Sequence, residues 1–178
     1  MMEEKNKWYS KFLDAMYVES GVSFNAYIDQ KQYELNSEIL AYVEVVDSNH
    51  LLIEIDQETI LLSGDTIQTY NNKTNQLVID RLIDDDIGVF SLLSGNLREV
   101  NILKTTIFKN IVRINFSLPS LDYKGFVEIL KSGEPKRMRL SYSSDQFIDI
   151  AITGFRTGEL SKFGSFNPSP REIINLYE

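Results

Sequence analysis

The alternation of apolar and polar residues along this chain predicts an α+β fold: one strongly curved antiparallel sheet, an incomplete β-barrel, covered by helices on its concave side. Three observations carry that expectation. An amphipathic helix opens the chain, a long series of short period-two runs follows at the spacing of a meander, and one short helical stretch interrupts the series. With 178 residues, 43% of them hydrophobic, a single domain over 1–178 with one core is expected.

From Asn6 to Tyr17 the apolar residues Trp8, Tyr9, Phe12, Leu13 and Met16 fall on one helical stripe, with Lys7, Ser10, Lys11 and Asp14 opposite. The polar side is not strongly basic, which favours a helix packed on a sheet over one lying on a membrane surface. The period then changes to two. Val22, Phe24, Ala26 and Ile28 form one apolar strand face, and Asp29 to Asn36 reads as a polar turn. Ile39, Ala41, Val43 and Val45 continue the inner face, and Asp47-Ser48-Asn49 is a turn cluster. Leu51 to Asn71 packs three short strands and two turns into one meander, with Leu51, Ile53 and Ile55 inward and Glu54 and Asp56 outward. Leu77 to Ile79 is a further β run.

Asp84-Asp85-Asp86 precedes Ile87, Phe90, Leu92 and Leu93. Carboxylates at the head of an apolar-periodic stretch suit a helix N-terminus, so a short helix to about Ser94, stopped by Gly95-Asn96, is predicted. Three consecutive carboxylates cannot all converge on one ion without further ligands, so no divalent-cation site is assigned to them. Strands resume with a short Val100–Leu103 and continue through Val112–Leu118 (Ile114 and Phe116 inward), Gly125–Leu130, Lys136–Tyr142 (Met138, Leu140 and Tyr142 inward) and Phe147–Phe155 (Ile148, Ile150 and Ile152 inward). The tail, Phe163 to Pro170, reads as a lid or edge segment.

Composition excludes several functions. A net charge of −8 argues against an electrostatic grip on nucleic acid or anionic lipid. There is no cysteine and only one histidine, His50, so thiol chemistry, His- or Cys-based metal sites and a Ser-His-Asp triad all lack their parts. His50 itself, at a turn, is read as exposed and idle, and Asp149 as an outward residue with no role. No pair of carboxylates is placed by a recognisable motif at a cavity mouth, so a hydrolase on a curved sheet has nothing to stand on and no catalytic residue is assigned. No cofactor is implied. No apolar run reaches the length of a membrane span. The opening Met1-Met2-Glu3-Glu4 is acidic where a secretory signal is basic, leaving either a cytoplasmic protein or one whose signal has been removed.

The one-sided apolar strands raise a question of capacity. Two helices of modest length leave part of such a sheet either filled by facing side chains or open as a cavity, and a cavity lined by Phe, Ile, Val and Leu suits acyl chains. Each buried methylene contributes about 0.8 kcal/mol, so one or two fatty chains would bind firmly. The lining residues on this reading are Trp8, Phe12, Met16, Phe24, Val43, Val45, Leu51, Ile53, Ile55, Phe90, Leu93, Ile114, Phe116, Met138, Leu140 and Ile150. Each taken alone reads more readily as plain core than as a ligand contact; together their one-sidedness favours a lined wall.

The order of elements, the block Ile53-Glu54-Ile55 followed by Ile60-Leu61-Leu62-Ser63-Gly64-Asp65 and Thr66-Ile67-Gln68-Thr69-Tyr70-Asn71, and the closing Phe163 and Phe166-Asn167-Pro168-Ser169-Pro170 resemble the periplasmic lipoprotein carrier family, LolA. That family has a Leu-Ile-Val-Ser-Asp-Gly turn, a strand ending in Tyr-Asn and a C-terminal Phe-x-Phe-x-Pro-Pro element. The resemblance covers nearly the whole chain in layout and these two blocks in letters. It implies a periplasmic chaperone, its signal peptide removed, that binds lipoprotein acyl chains in a hydrophobic cavity without covalent chemistry. Acylated lipoproteins would be the ligand, collected from an inner-membrane lipoprotein-releasing ABC transporter and passed to an outer-membrane acceptor, by a protein expected to be monomeric. Trp8 and Phe12 would be lid residues. Two departures stand out. The family's Arg-Pro latch before the third strand is replaced by Asp47-Ser48-Asn49, and the aromatic pair before Tyr-Asn by Gln68-Thr69. An outer-membrane acceptor of the LolB kind, or the lipid- or lipoprotein-sensing domain of an envelope-stress regulator, are the sister readings.

Overall fold

In the computed structural model the described residues are 2–82 and 88–177, with side chains from Lys7 onward. The chain runs α1 (Met2–Met16), β1 (Val22–Gln32), β2 (Leu35–Asp47), β3 (His50–Ile55), β4 (Glu58–Ser63), β5 (Thr66–Asn71), β6 (Gln76–Arg81), α2 (Val89–Ser94), β7 (Asn101–Phe108), β8 (Ile111–Leu118), β9 (Tyr123–Leu130), β10 (Pro135–Ser143), β11 (Gln146–Thr157), α3 (Ser161–Ser165) and β12 (Glu172–Asn175). All twelve of these strands belong to one curved, unclosed sheet, ordered β12-β6-β5-β4-β3-β2-β1-β11-β10-β9-β8-β7. The expected balance of α and β is therefore corrected: the molecule is mainly β, with one helix of length and two short ones among the described residues.

Hairpins built from local turns make both arms of the sheet. Asp47 Oδ1 accepts the Asn49 amide at 2.8 Å and turns β2 into β3, and Asn71 Oδ1 accepts the amides of Lys73 and Thr74 at the β5–β6 turn. These are side chains imitating a backbone turn, the reason Asp and Asn concentrate there. The arms join non-locally. β1 pairs antiparallel with both β2 and β11, for example Ile28 with Ile39 and with Ile150. β12 returns from the far end of the chain to lie parallel to β6.

Three strands, in two places, exceed their sequence signal. The stretch 29–36 is not a polar turn, because β1 continues to Gln32 and β2 restarts at Leu35, with Tyr33 at positive φ between them. Likewise β7 runs to Phe108 instead of stopping at Leu103. Both extensions expose both faces, so no buried face imposes an apolar alternation on them. The meander from Leu51 to Asn71 forms as expected, in register through Leu51–Leu62 and Leu62–Ile67. The helix expected after the Asp84-Asp85-Asp86 triplet is α2, capped at its C-terminus by Gly95 in the left-handed region. The triplet and Ile87 lie outside the described residues.

Strand alternation sorts the sheet into two faces. Along β8 the burial runs strictly: Val112, Ile114, Phe116 and Leu118 are buried, and Arg113, Asn115 and Ser117 are partly exposed between them. The concave side gathers the core, to which α1 adds Phe12 and Met16 and α2 adds Leu92 and Leu93.

Candidate functional site: the apolar concave face

All sixteen residues named from the sequence meet in one place. Thirteen of them, from Phe12 and Met16 through Leu51 and Phe116 to Ile150, are at most 1% exposed and belong to a single cluster. Trp8, Ile55 and Phe90 are partly buried and pack against it. The same cluster holds residues the sequence reading left out of the wall: Leu62, Leu92, Leu97, Val112, Val127, Ile129 and Ile152. Their signal was present, since Val127 and Ile129 alternate with Phe126 and Glu128 as the named residues do.

The floor of the face is closely fitted. Phe116 lies opposite Gly125 across β8 and β9. A Cβ at Gly125 would stand 2.7 Å from the Phe116 ring and 2.2 Å from the Arg139 carbonyl, so the ring occupies the space a side chain would take. Phe24 stacks on Phe155 at 6.1 Å between ring centres. Fully burying a side chain of this size contributes about 1.5–3 kcal/mol.

Helix α1 is seated by backbone proximity, not by the Arg latch that the resemblance leads one to look for. Gly133, in the β9–β10 turn at φ +100°, lets the Lys11 carbonyl come so close that a Cβ there would sit 2.2 Å from it. Lys11 Nζ donates to the Lys131 carbonyl at 3.2 Å, and Lys7 and Lys11 both lie over the Trp8 ring. On the far side Phe12 and Met16 approach Gly95 just after α2. Burial pushes the Tyr9 hydroxyl up to about 12. Tyr17 is raised by burial first, then by Tyr9 and Asp47. Both phenols are thus held neutral at the rim of the apolar face.

The convex face works differently. Arg113 pairs with Glu128 and stacks over Phe126 at 4.1 Å. Arg137 bonds Asp149 through two nitrogens at 3.0 and 2.7 Å, and Arg139 reaches the same carboxylate at 3.4 Å while lying over Phe147. Asp149, assigned no role from the sequence, is the anion that holds two arginines. His50 is not idle either: its Nδ1 lies 2.8 Å from Asp47 Oδ1.

The tail is an outer strap and an edge strand. Glu44, fully buried on β2, accepts the backbone amides of Lys162 at 3.1 Å and Phe163 at 2.6 Å and the Tyr42 hydroxyl at 2.9 Å. Lys162 Nζ bonds Glu54 at 2.7 Å. A carboxylate from the sheet thereby meets the free amides at the start of α3. From there Phe166 and Pro168 cross Leu52 and Tyr70 along a hollow of about 400 Å³ that none of the sixteen wall residues lines. The lid half of the expectation for this tail is therefore corrected, because its ties run to the outward side chains Glu44 and Glu54.

Among the described residues no group of three or more His, Cys, Asp or Glu side chains could hold a metal ion. No helix of the described chain is long and apolar enough to cross a membrane. What such an apolar face can do chemically is pack against other apolar matter.

No family model matches the chain, and no curated protein matches it. Solved structures do. An uncharacterised conserved protein from Thermus thermophilus is similar over 98% of both chains, with 14% identity and a TM-score of 0.60. A LolA superfamily protein from Nitrosomonas europaea is similar over 88% of this chain and 94% of its own, with 9% identity and a TM-score of 0.46. The Mycobacterium tuberculosis lipoprotein LppX covers 87% of this chain and 96% of its own, at 11% identity and a TM-score of 0.44. The family named from the sequence is thus represented among the structural neighbours. What this chain shares with the Thermus thermophilus protein, at 14% identity, is its fold.

Proposed function

We propose that this protein is a lipoprotein carrier of the periplasm, binding acyl chains between the concave face of its sheet and the helices α1 and α2, with no covalent step. The observation that carries the reading is the convergence of all sixteen wall residues on one continuous apolar surface that includes side chains of both helices. On this reading the helices cover the surface until ligand arrives, and α1 swings away at its N-terminal end to admit it. Besides the buried side chains Phe12 and Met16, a glycine-permitted backbone contact and a lysine–carbonyl bond hold α1 among the described residues. Burying ten methylenes would contribute about 8 kcal/mol, equivalent to a micromolar dissociation constant, from which the cost of lifting the helix is subtracted. Release then follows when a membrane-anchored acceptor offers a better apolar site, and loading when a transporter delivers the chains.

Titration with a fluorescent sixteen-carbon fatty acid and with a diacylated cysteinyl peptide tests this, with native mass spectrometry for stoichiometry. One-to-one binding is expected, with faster amide exchange in α1 and unchanged exchange in β8–β11. Leu51→Arg, which puts a charge into the wall, should abolish binding; Phe12→Ser, on the helix, should weaken it while leaving the sheet folded. Absence of binding by the folded wild type, or binding that ignores both substitutions, overturns the proposal.

A further inference from the structure

Among the described residues the sheet ends at β7 with an unpaired strand edge. β7 pairs with β8 on its inner side and is terminal in the strand order. The other end of the sheet is finished by β12, only four residues long. An eight-residue edge is a row of backbone donors and acceptors able to template another strand, and proteins normally blunt such edges. This one is irregular only near its start, where the register shifts between Ile102 and Lys104; it carries no proline, and it exposes Ile107 by 53% and Phe108 by 69%.

Its charge is opposite to that of the protein. From Asn101 to Asn110 the chain has Lys104 and Lys109 and no acidic residue, in a molecule of net charge −8. Among the described residues neither lysine makes an ion pair; Lys109 lies over the Phe108 ring at 5.6 Å. Lys104 and Phe108 border an outer-face hollow of about 640 Å³ together with Ile111 and Arg113. Glu128 also lines the hollow and is paired with Arg113, so the cations open to a partner are Lys104 in the hollow and Lys109 beside Phe108. A second copy offering the same edge would bring four lysines to one seam, and like charges at a strand pair repel. That charge pattern selects against self-pairing and for an acidic partner.

We propose that β7 is a docking strand for an acidic, extended segment of another protein, which adds to the sheet as a thirteenth strand. Backbone pairing with β7 supplies the affinity, carboxylates of the segment meet Lys104 and Lys109, and an apolar side chain rests against Phe108 in the hollow.

Fluorescence anisotropy with a labelled acidic peptide, Glu-Thr-Val-Glu-Val-Thr-Val-Glu, and its lysine-for-glutamate counterpart tests the proposal, alongside amide NMR of the full chain. The acidic peptide should bind with micromolar affinity that falls with salt, and protection should appear at the amides of β7. Lys104→Glu combined with Lys109→Glu, both at exposed positions, should weaken it at least about tenfold and favour the lysine peptide. Phe108→Ser should weaken it without changing the charge preference. Equal binding by the double variant overturns the proposal, as does protection elsewhere than β7, absence of binding, or a peptide-free dimer that protects the β7 amides.

Discussion

The two faces of the sheet are held by interactions of different kinds. On the concave side Phe116, Leu51, Val43 and Ile150 have no polar side-chain atoms to satisfy and are defined by shape and burial alone. On the convex side the contacts have named partners: Arg137 with Asp149, Arg113 with Glu128 and Phe126, Glu44 with the amides of α3. Burial is non-directional, so an apolar face can exchange one set of apolar neighbours for another at modest cost. Paired polar contacts cannot, because breaking one leaves a partner unsatisfied. On the proposed carrier reading, the inner face would change apolar neighbours while the paired contacts outside keep the frame fixed.

The largest loss is expected at the centre of the inner face. Phe116→Ala removes a fully buried ring next to Gly125, and a loss of about 3–5 kcal/mol is expected in urea unfolding. A loss under about 1 kcal/mol would mean that the face is loosely packed already. Glu44→Ala attacks the other side. It strands two backbone amides and a phenol, and should cost about 2–3 kcal/mol, with α3 and β12 the first segments to exchange their amides. If exchange rises in α1 instead, the strap is tied to the inner face and the division of labour fails.

A pH series separates the rim of the inner face from both. Tyr9 and Tyr17 have folded-state values raised above the ordinary tyrosine range, by burial before anything else. Their contribution to stability is fully present below about 10 and is lost as pH rises through the Tyr9 value of about 12. Melting temperatures should therefore fall between those limits, and Tyr9→Phe should flatten the fall. The smallest effect is expected at Arg137→Ala. Its guanidinium is partly exposed, so double-mutant cycles with Asp149→Ala should return a coupling of about 1 kcal/mol or less, shrinking with salt.

Much of the inner face is legible in the sequence. Side chains on a strand alternate, so Val43, Val45, Leu51, Ile53, Ile114 and Phe116 announce their common side by spacing alone, and the helical stripe of α1 announces its own. The distal β1–β2 hairpin and the far half of β7 stay hidden because neither face of them is buried, which removes the pattern that would have marked them. Glu44 does leave a trace, as a lone carboxylate within Val43–Val46, yet nothing near it in sequence says what it binds. Its backbone partners lie 118 and 119 residues away.

What the amino-acid order by itself determined, then, is which side chains face inward and where most hairpins turn, because both follow from local stereochemistry. Tertiary structure alone decided that β1 sits between β2 and β11, that the tail crosses outside and runs parallel to β6, and that β7 is left as an open edge. Those arrangements join segments far apart along the chain, and pairing at such separations is selected by the fit of the whole sheet, not by any motif at either end.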